Sequence, residues 1–424
     1  MHKKFLATAG AAAVAALVLS GCSTKAAGGS GGGGGGGVDG VKTDIGVTDS
    51  EIKLGILTDT SGPFKASGLA TTHGNQMWAD QINAAGGICK RKIVLDIQDA
   101  GYKPDNAMTL YQTMKSQDAA IMQLIGSPIL AALKQQLIND KMLTIPSAWP
   151  SESLDSEAIL MIGQTYDVEM INALGWLQEQ GKIADGDKIG HIYVDSDYGQ
   201  NALLGSKYYA KAHKMTIEAA AVQSTDTDMT ATITKMKSAG VKAILLSVAP
   251  AATGSIALQN ASQGLNVPLA GNNPTFSVTL LKDQATTAAL ANFHLVNSVA
   301  AYGSPDIPLA KEVEEKYKAQ FPDLSGEKSI PTGYIYGMAF EQILKQACED
   351  GDLTRAGIIA AKGKVSSVDT KGLTGKLDFS KPGAPTSREA YVLAVDPSMP
   401  AGLKNAGPLY SSKDAKKYKA PHEK

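Results

Sequence analysis

The sequence predicts an α/β protein made of two similar lobes. Short apolar runs rich in β-branched residues alternate with longer amphipathic runs through most of the chain, and this alternation is typical of a parallel sheet with connecting helices. The pattern breaks near Gly163 and then begins again. The region from Asp49 to the C-terminus also exceeds the length that one hydrophobic core usually supports, so two lobes are expected.

The first lobe begins with a predicted strand over residues 52–57, followed by a turn at residues 61–63. A helix is predicted over residues 70–85, because Gly86 and Gly87 supply a typical helix C-cap. The remaining predicted strands are residues 93–97, 120–125 and 143–145, with helices over residues 106–116 and 129–139 between them.

The second lobe begins with a predicted helix containing Trp176, which leads to a strand over residues 188–194. This strand is similar in character to the opening strand, and it also runs into a polar glycine-containing loop. The further predicted strands are residues 215–222, 243–248, 269–270 and 294–299, and the further predicted helices are residues 229–239, 253–264 and 277–290.

The N-terminus has the layout of an export signal with a site for lipid attachment. Lys3 and Lys4 precede an almost wholly apolar run over residues 5–19. The run ends in Leu-Ser-Gly-Cys at residues 19–22, which resembles the lipobox of a bacterial lipoprotein. This resemblance implies that residues 1–21 form a signal peptide and that Cys22 becomes the lipidated N-terminus. The run is too short for a transmembrane helix, which needs about 20 apolar residues.

Glycine dominates the sequence between Gly28 and Gly40. Such a segment buries nothing and behaves as a random coil. We therefore expect residues 22–48 to be a linker that connects the lipidated cysteine to the folded body. The sequence thus predicts an exported protein that is anchored by lipid to the outer face of the cytoplasmic membrane.

The composition argues against several classes of function. The chain has 40 Lys and Arg residues against 41 Asp and Glu residues, which is not the basic excess expected of a nucleic-acid-binding protein. It contains neither the phosphate-binding Gly-x-x-x-x-Gly-Lys-Ser/Thr motif nor His-Glu-x-x-His or Cys-x-x-Cys, so no cofactor and no metal site are expected. No histidine is predicted to stand beside a loop serine, so an enzyme is not expected.

Beyond Cys22 the chain contains only Cys89 and Cys348. An even pair of cysteines in an exported protein favours a disulfide. Two free thiols are the alternative.

Several segments have the order and spacing of motifs from one known family. The first are IKLGILTDTSGP at residues 52–63 and QINAAGG at residues 81–87. Later ones are DYG at residues 197–199, DMT at 228–230, KSAG at 237–240 and GLTG at 372–375, followed by Phe379. Over about residues 50–396 the chain therefore resembles the leucine/isoleucine/valine-binding proteins, which are type I periplasmic binding proteins.

The resemblance implies two Rossmann-like lobes of the Venus-flytrap type, joined by a three-segment hinge. Lobe 1 is expected to contain residues 49–165 and 303–376, lobe 2 to contain residues 166–302 and 377–410, and residues 411–424 to form a charged C-terminal tail. A ligand is expected in the cleft at the carboxyl ends of the strands, where loops and helix N-termini offer unpaired amides.

The partners that the resemblance implies are a small-molecule ligand, an ABC importer permease and the ATPase subunits of that importer. The protein itself is expected to be a monomer. A tethered ligand sensor for a signalling partner would need the same closing cleft, so the sequence leaves that alternative open.

At the family's ligand-binding positions several residues differ from the family pattern. Tyr198 matches an aromatic residue that contacts the ligand backbone, but Ser67 falls where a similar amino-acid binder has a tyrosine. Leu130 takes the position of a serine in the family, and Trp149 takes the position of a threonine that binds the ligand carboxylate. Asn273 takes the position of the acid that neutralises the ligand ammonium.

A buried ammonium without a carboxylate partner is disfavoured by several kcal/mol. We therefore expect a neutral or aromatic/carboxylate small molecule rather than an ordinary free α-amino acid. Branched-chain amino acid binding despite the substitutions is one alternative, and a core role for Phe64 and Trp149 is another. The predicted ligand-binding residues are Phe64, Ser67, Ser127, Ser147, Ala148, Trp149, Tyr198, Asn272 and Asn273.

Overall fold

The structure is a computed structural model that describes residues 40–424. The predicted signal peptide, Cys22 and most of the glycine-rich segment lie outside these residues. The described chain forms two sheets, each flanked by helices, and this confirms the predicted α/β fold with two lobes. No helix in this part of the chain is both long and apolar enough to cross a membrane.

Lobe 1 is built on a four-stranded parallel sheet with the strand order β2-β1-β3-β4. The strand β3 is buried along its whole length, as expected for a parallel strand covered by helices on both faces. The first elements of this lobe are β1 (Glu51–Thr58), α1 (Lys65–Ala84), β2 (Lys92–Asp99), α2 (Pro104–Met114), β3 (Ala120–Ile125), α3 (Ser127–Asn139) and β4 (Thr144–Ser147).

Helix α1 begins five residues earlier than the sequence predicts. The Asp59 carboxylate accepts hydrogen bonds from the backbone amides of Gly62, at 2.5 Å, and Phe64, at 2.9 Å. These bonds organise the turn after β1, so the helix starts directly after Phe64.

Lobe 2 is built on a seven-stranded sheet with the order β11-β10-β9-β8-β7-β5-β6. Its strands β5 to β9 are parallel to one another, whereas β10 pairs antiparallel with both β9 and β11. Its first elements are α4 (Tyr166–Glu179), β5 (Lys188–Val194), α5 (Asp197–Ala212), β6 (Thr216–Val222), α6 (Thr230–Ala239), β7 (Ala243–Ser247), α7 (Pro250–Ser262), β8 (Leu269–Gly271), α8 (Gln284–Ala289) and β9 (Phe293–Asn297).

The chain then returns to lobe 1 and finally to lobe 2. In lobe 1 a helix packs on β3 and on α1, and two further helices pack against it. The last two strands complete the second sheet. These elements are α9 (Pro308–Gln320), α10 (Ile330–Glu349), α11 (Arg355–Lys362), β10 (Tyr391–Val395), β11 (Leu403–Asn405) and α12 (Lys413–Lys417).

The prediction of one helix over residues 277–290 is wrong. The structure has a 3-10 helix at Val278–Lys282 and then the separate short helix α8. The chain breaks there because the Asp283 carboxylate accepts a hydrogen bond from the Thr286 amide at 2.7 Å and so caps a new helix.

Three crossover segments connect the lobes: residues 148–165, 298–307 and 363–390. They are held together at Gly163, whose amide donates to Thr386 Oγ1 at 2.8 Å, and at Gln164, whose amide donates to Ser298 Oγ at 2.9 Å. Gly163 has φ +94° and lies so close to Ser298 that a Cβ would stand 2.4 Å from the serine Oγ. A side chain at this position would therefore both strain the backbone and push two crossovers apart.

Both ends of the described chain pack on the lobes. The Lys42 amide donates to the carbonyl of Gly351 at 3.0 Å, so the end of the expected linker lies against lobe 1. The expected charged tail, residues 411–424, contains α12, and the Tyr418 hydroxyl donates to Asp167 of α4 at 2.8 Å. In the structure this segment is therefore packed on lobe 2.

A disulfide joins Cys89, which precedes β2, to Cys348 in α10, with Cα atoms 6.3 Å apart. The bond closes a loop with a sequence separation of 259 residues. Cross-linking such distant positions restricts the unfolded chain strongly. We expect the Cys89→Ala/Cys348→Ala variant to lose about 2–5 kcal/mol of unfolding free energy in urea titrations.

Both proteins in that comparison should carry Cys22→Ser, so that the third cysteine does not interfere. Reduction of the disulfide in the parent protein should then lower its unfolding free energy to that of the variant. Equal stability of the oxidised parent and the variant would contradict this prediction.

His191 in β5 provides a test by pH, because it is fully buried between Ser206 Oγ, at 2.8 Å, and Ser247 Oγ, at 3.0 Å. Burial lowers its pKa from 6.5 to about 3. Between these values the unfolded chain binds a proton that the folded protein does not, so this residue makes stability fall as the pH falls. We expect His191→Asn to remove a slope of about 1.4 kcal/mol per pH unit from the stability curve measured by urea unfolding. Parallel curves for the two proteins between pH 4 and 6 would contradict the assignment.

Candidate functional site

A cavity of about 40 Å³ lies between the two lobes. This volume holds only a few water molecules, so a larger ligand fits when the lobes move apart around it. Both lobes contribute to its wall at the carboxyl ends of parallel strands, which is where ligands of open α/β sheets bind. Its lining residues are Phe64, Ser67, Thr71, Tyr102, Ile125, Gly126, Ser127, Ser147, Trp149, Tyr166, Tyr198, Asn273, Pro274, Ser329 and Thr332.

Five aromatic side chains form much of the wall. The rings of Phe64 and Tyr102 lie 4.7 Å apart between centroids, after β1 and β2 respectively. Tyr166 at the start of α4 contacts Trp149 edge-on at 5.7 Å and Tyr198 at 4.6 Å. Tyr198 belongs to lobe 2 and is only 1% exposed, so the two lobes are closed over the cavity. These contacts create a rigid apolar surface with phenol hydroxyls at its edges.

The N-terminus of α3 points a helix dipole at the cavity from lobe 1. Gly126 caps this helix with φ +111°, and Ser127 follows with its side chain 2% exposed. The positive end of a helix favours an electronegative group. This corner of the cavity therefore suits a ligand oxygen.

Trp149 adds a second donor to the wall. Its indole Nε1 is buried and has no hydrogen-bond partner among residues 40–424. An indole N–H can only donate, and a buried unpaired donor is costly. The side chain is thus suited to a ligand that presents a hydrogen-bond acceptor.

The cavity wall carries no formal charge: of the described residues that line it, none is Asp, Glu, Lys or Arg. Burial raises the pKa of the Tyr102, Tyr166 and Tyr198 phenols, so these groups stay neutral at physiological pH. The wall therefore offers neutral donors and acceptors beside aromatic surface.

Charged groups lie one layer behind Asn273. The backbone N–H of Asn273 donates to Glu169 Oε2 at 3.4 Å, and Lys328 Nζ donates to Asn273 Oδ1 at 3.2 Å. Burial raises the pKa of Glu169 and lowers that of Lys328, while the charge of each residue opposes the shift of the other. Asn273 thus separates the cavity from two buried ionisable side chains.

The structure brings most of the predicted ligand-binding residues together and leaves two outside the wall. Ala148 is fully buried within the protein, and Asn272 lies behind Tyr198, whose hydroxyl donates to Asn272 Oδ1 at 2.7 Å. Phe64 and Trp149 are both 6% exposed and both line the cavity. The predicted residues in the wall are Phe64, Ser67, Ser127, Ser147, Trp149, Tyr198 and Asn273.

Sequence reasoning missed the other lining residues. Tyr102 stands in the loop after a predicted strand, so a search for aromatic residues after every strand would have found it. Ser329 and Thr332 reach the site because the chain returns to lobe 1 at the start of α10, and no local pattern signals that return. The residues that were missed are Thr71, Tyr102, Ile125, Gly126, Tyr166, Pro274, Ser329 and Thr332.

Comparison with known proteins identifies the family. The family model described as "Periplasmic binding protein" matches residues 51–402. A fatty acid ABC transporter substrate-binding protein from Thermomonospora curvata is 36% identical and has a TM-score of 0.87, with 91% of this chain and 99% of that chain covered. A search of curated proteins found no match.

Two more distant solved structures share the fold. A branched-chain amino acid ABC transporter protein from Thermus thermophilus with bound valine is 14% identical with a TM-score of 0.75, covering 87% of this chain and 98% of that one. A substrate-binding protein from Streptococcus pneumoniae in complex with isoleucine is 21% identical with a TM-score of 0.70, covering 85% and 100%.

The family match spans both lobes and all three crossovers, so it includes every residue that lines the cavity. The fold, the closed cavity and the similar structures agree with one another. The chain belongs to the periplasmic binding protein family, as an ABC-transporter substrate-binding protein of the type that resembles leucine/isoleucine/valine-binding proteins.

Proposed function

We propose that this protein is an exported, lipid-anchored monomer that captures a small organic molecule between its lobes and delivers it, unchanged, to an ABC permease with ATPase subunits. The observation that carries the proposal is the cavity, whose wall includes Ser127 and Trp149 from the lobe 1 side and Tyr198 and Asn273 from lobe 2. A ligand that contacts both lobes favours the closed state over the open one. Capture and release can therefore follow from hinge motion alone.

We propose further that the ligand has no ammonium group. The wall has hydrogen-bond donors at Trp149 and at the start of α3, but it carries no carboxylate to neutralise a cation. A carboxylate or a neutral carbonyl suits those donors, and an apolar or aromatic body suits the rings. The similar Thermomonospora protein is a fatty acid ABC transporter substrate-binding protein, and this supports a carboxylate ligand without an amine.

Branched-chain amino acids are the alternative ligand class. They occupy the Thermus and Streptococcus structures, which are 14% and 21% identical to this chain. Against them stands the desolvation of a ligand ammonium next to Asn273, which costs several kcal/mol when no carboxylate compensates. This cost makes the presence of an ammonium the property to test.

Matched pairs of compounds test the ligand class. 4-Methylpentanoate and L-leucine differ only in the ammonium group, as do 3-phenylpropanoate and L-phenylalanine. We expect at least one of the two acids to raise the melting temperature by 2 °C or more at millimolar concentration (about 1 kcal/mol of linkage), and its amino acid partner to have no effect. Thermal shift and calorimetric titration measure both. Stabilisation by the amino acids alone would contradict this ligand class.

The site of that binding is tested with Trp149→Phe, which keeps an aromatic ring and removes the N–H donor. Loss of a hydrogen bond to a charged acceptor should weaken binding of the effective acid by about tenfold or more. Trp176→Phe in α4 is the control, because Trp176 lies outside the cavity wall. Both unliganded variants should melt within a few degrees of the parent protein.

Membrane anchoring is tested separately at Cys22. We expect Cys22→Ser to move the protein from the membrane fraction to the soluble fraction, because stable attachment requires two or more acyl chains on that residue. Ser23→Ala is the matched control and should remain with the membrane. Membrane attachment of a Cys22→Ser protein from which residues 1–21 have been removed would exclude the lipid anchor.

A further inference from the structure

A lysine of lobe 1 reaches across to lobe 2 beside the cavity. Lys328 lies in the loop between α9 and α10 and is 2% exposed. Its ammonium donates to Oδ1 of Asn273, which stands after β8 in lobe 2 and lines the cavity. A buried cation is thus separated from the ligand space by one side chain.

Two buried acids accompany this lysine. Glu169 of α4 is 1% exposed and accepts a hydrogen bond from the backbone N–H of Asn273. Glu169 and Lys328 therefore both form a hydrogen bond with the same asparagine. Glu327 accepts hydrogen bonds from the Ser277 hydroxyl at 2.9 Å and from the Val278 backbone N–H at 3.2 Å. Both bonds cross the interface between the lobes. The acids lower the cost of burying Lys328, and Lys328 lowers the cost of burying the acids.

The cavity would have a different character without this lysine. Glu169 would remain behind Asn273 as a buried acid with no cation near it, and such a group either destabilises the fold as a carboxylate or takes up a proton. A ligand ammonium at this wall could then supply the missing positive charge. With Lys328 in place, the protein itself supplies this positive charge.

We propose that Lys328 is a specificity-determining residue that supplies the cation for Glu169 and Asn273 and thereby excludes ligands that carry an ammonium group. This inference rests on the proposed function, because it explains which ligands the cleft rejects. The Lys328 ammonium occupies the position that a ligand ammonium would need beside Asn273. It does so when the lobes close, since the lysine and its partners Asn273 and Glu169 belong to different lobes.

The test is chemical rescue of Lys328→Ala in the full chain. We expect this variant to melt below the parent protein and to regain at least about 2 °C when ethylammonium chloride is added at millimolar concentration. The parent protein should show no such gain. The exposed Lys318→Ala variant of α9 is the matched control, and it should also fail to respond.

The response should require the carboxylate of Glu169. Lys328→Ala/Glu169→Gln should therefore lose the gain from ethylammonium. An equal response in the parent protein, no response in a folded Lys328→Ala variant, or a response that persists in the double variant would each overturn the proposal. Sodium chloride at the same concentration controls for ionic strength.

Lys328→Met keeps the length of the side chain and provides a second test if Lys328→Ala does not fold. We expect Glu169→Gln to raise the melting temperature of Lys328→Met and to lower that of the parent protein, because the two charges compensate each other. The same shift in both backgrounds would overturn the proposal. Neither test uses the natural ligand, so failure of the acids to bind would refute the proposed ligand class and leave this result unaffected.

Discussion

The close approach of the three crossover segments at Gly163 is the constraint on which the cavity depends. Its amide bonds to Thr386, the next amide bonds to Ser298, and the glycine itself lacks the side chain that would force these segments apart. This junction holds two separate sheets with the carboxyl ends of their strands near one cleft. Every aromatic ring and hydroxyl in the cavity wall is brought there by strands and helices that this junction positions.

The cavity wall and the layer of side chains behind it have different electrostatic roles. The wall is neutral and aromatic, and its phenols keep their protons because burial raises their pKa. The ionic groups Glu169, Glu327 and Lys328 lie behind it and contact Asn273 and Ser277. Interactions between charges are stronger in a poorly hydrated interior than in water. The charge balance among these three side chains therefore determines which ligand charges the neutral wall can accept.

The sequence predicted the order of strands and helices well because that order depends on local periodicity. Its errors occurred where side-chain hydrogen bonds override periodicity: Asp59 starts α1 early, and Asp283 ends one helical segment and caps the next. Of the residues predicted for the site, those directly after strands, such as Ser127 and Trp149, line the cavity. The sequence does not indicate Ser329 and Thr332, because no local pattern shows that a distant segment returns to the cleft.

By itself the sequence determined the α/β class with its two lobes, and from its motifs the resemblance to a family of binding proteins. It also predicted that Asn273 takes the position of the acid that binds a ligand ammonium in that family. Only the tertiary structure decided that Ala148 and Asn272 leave the wall, that Tyr102 and Tyr166 join it, and that Lys328 stands behind it. The succession of strands and helices along the chain follows from local periodicity, whereas charge balance in a cleft depends on which distant side chains are buried together.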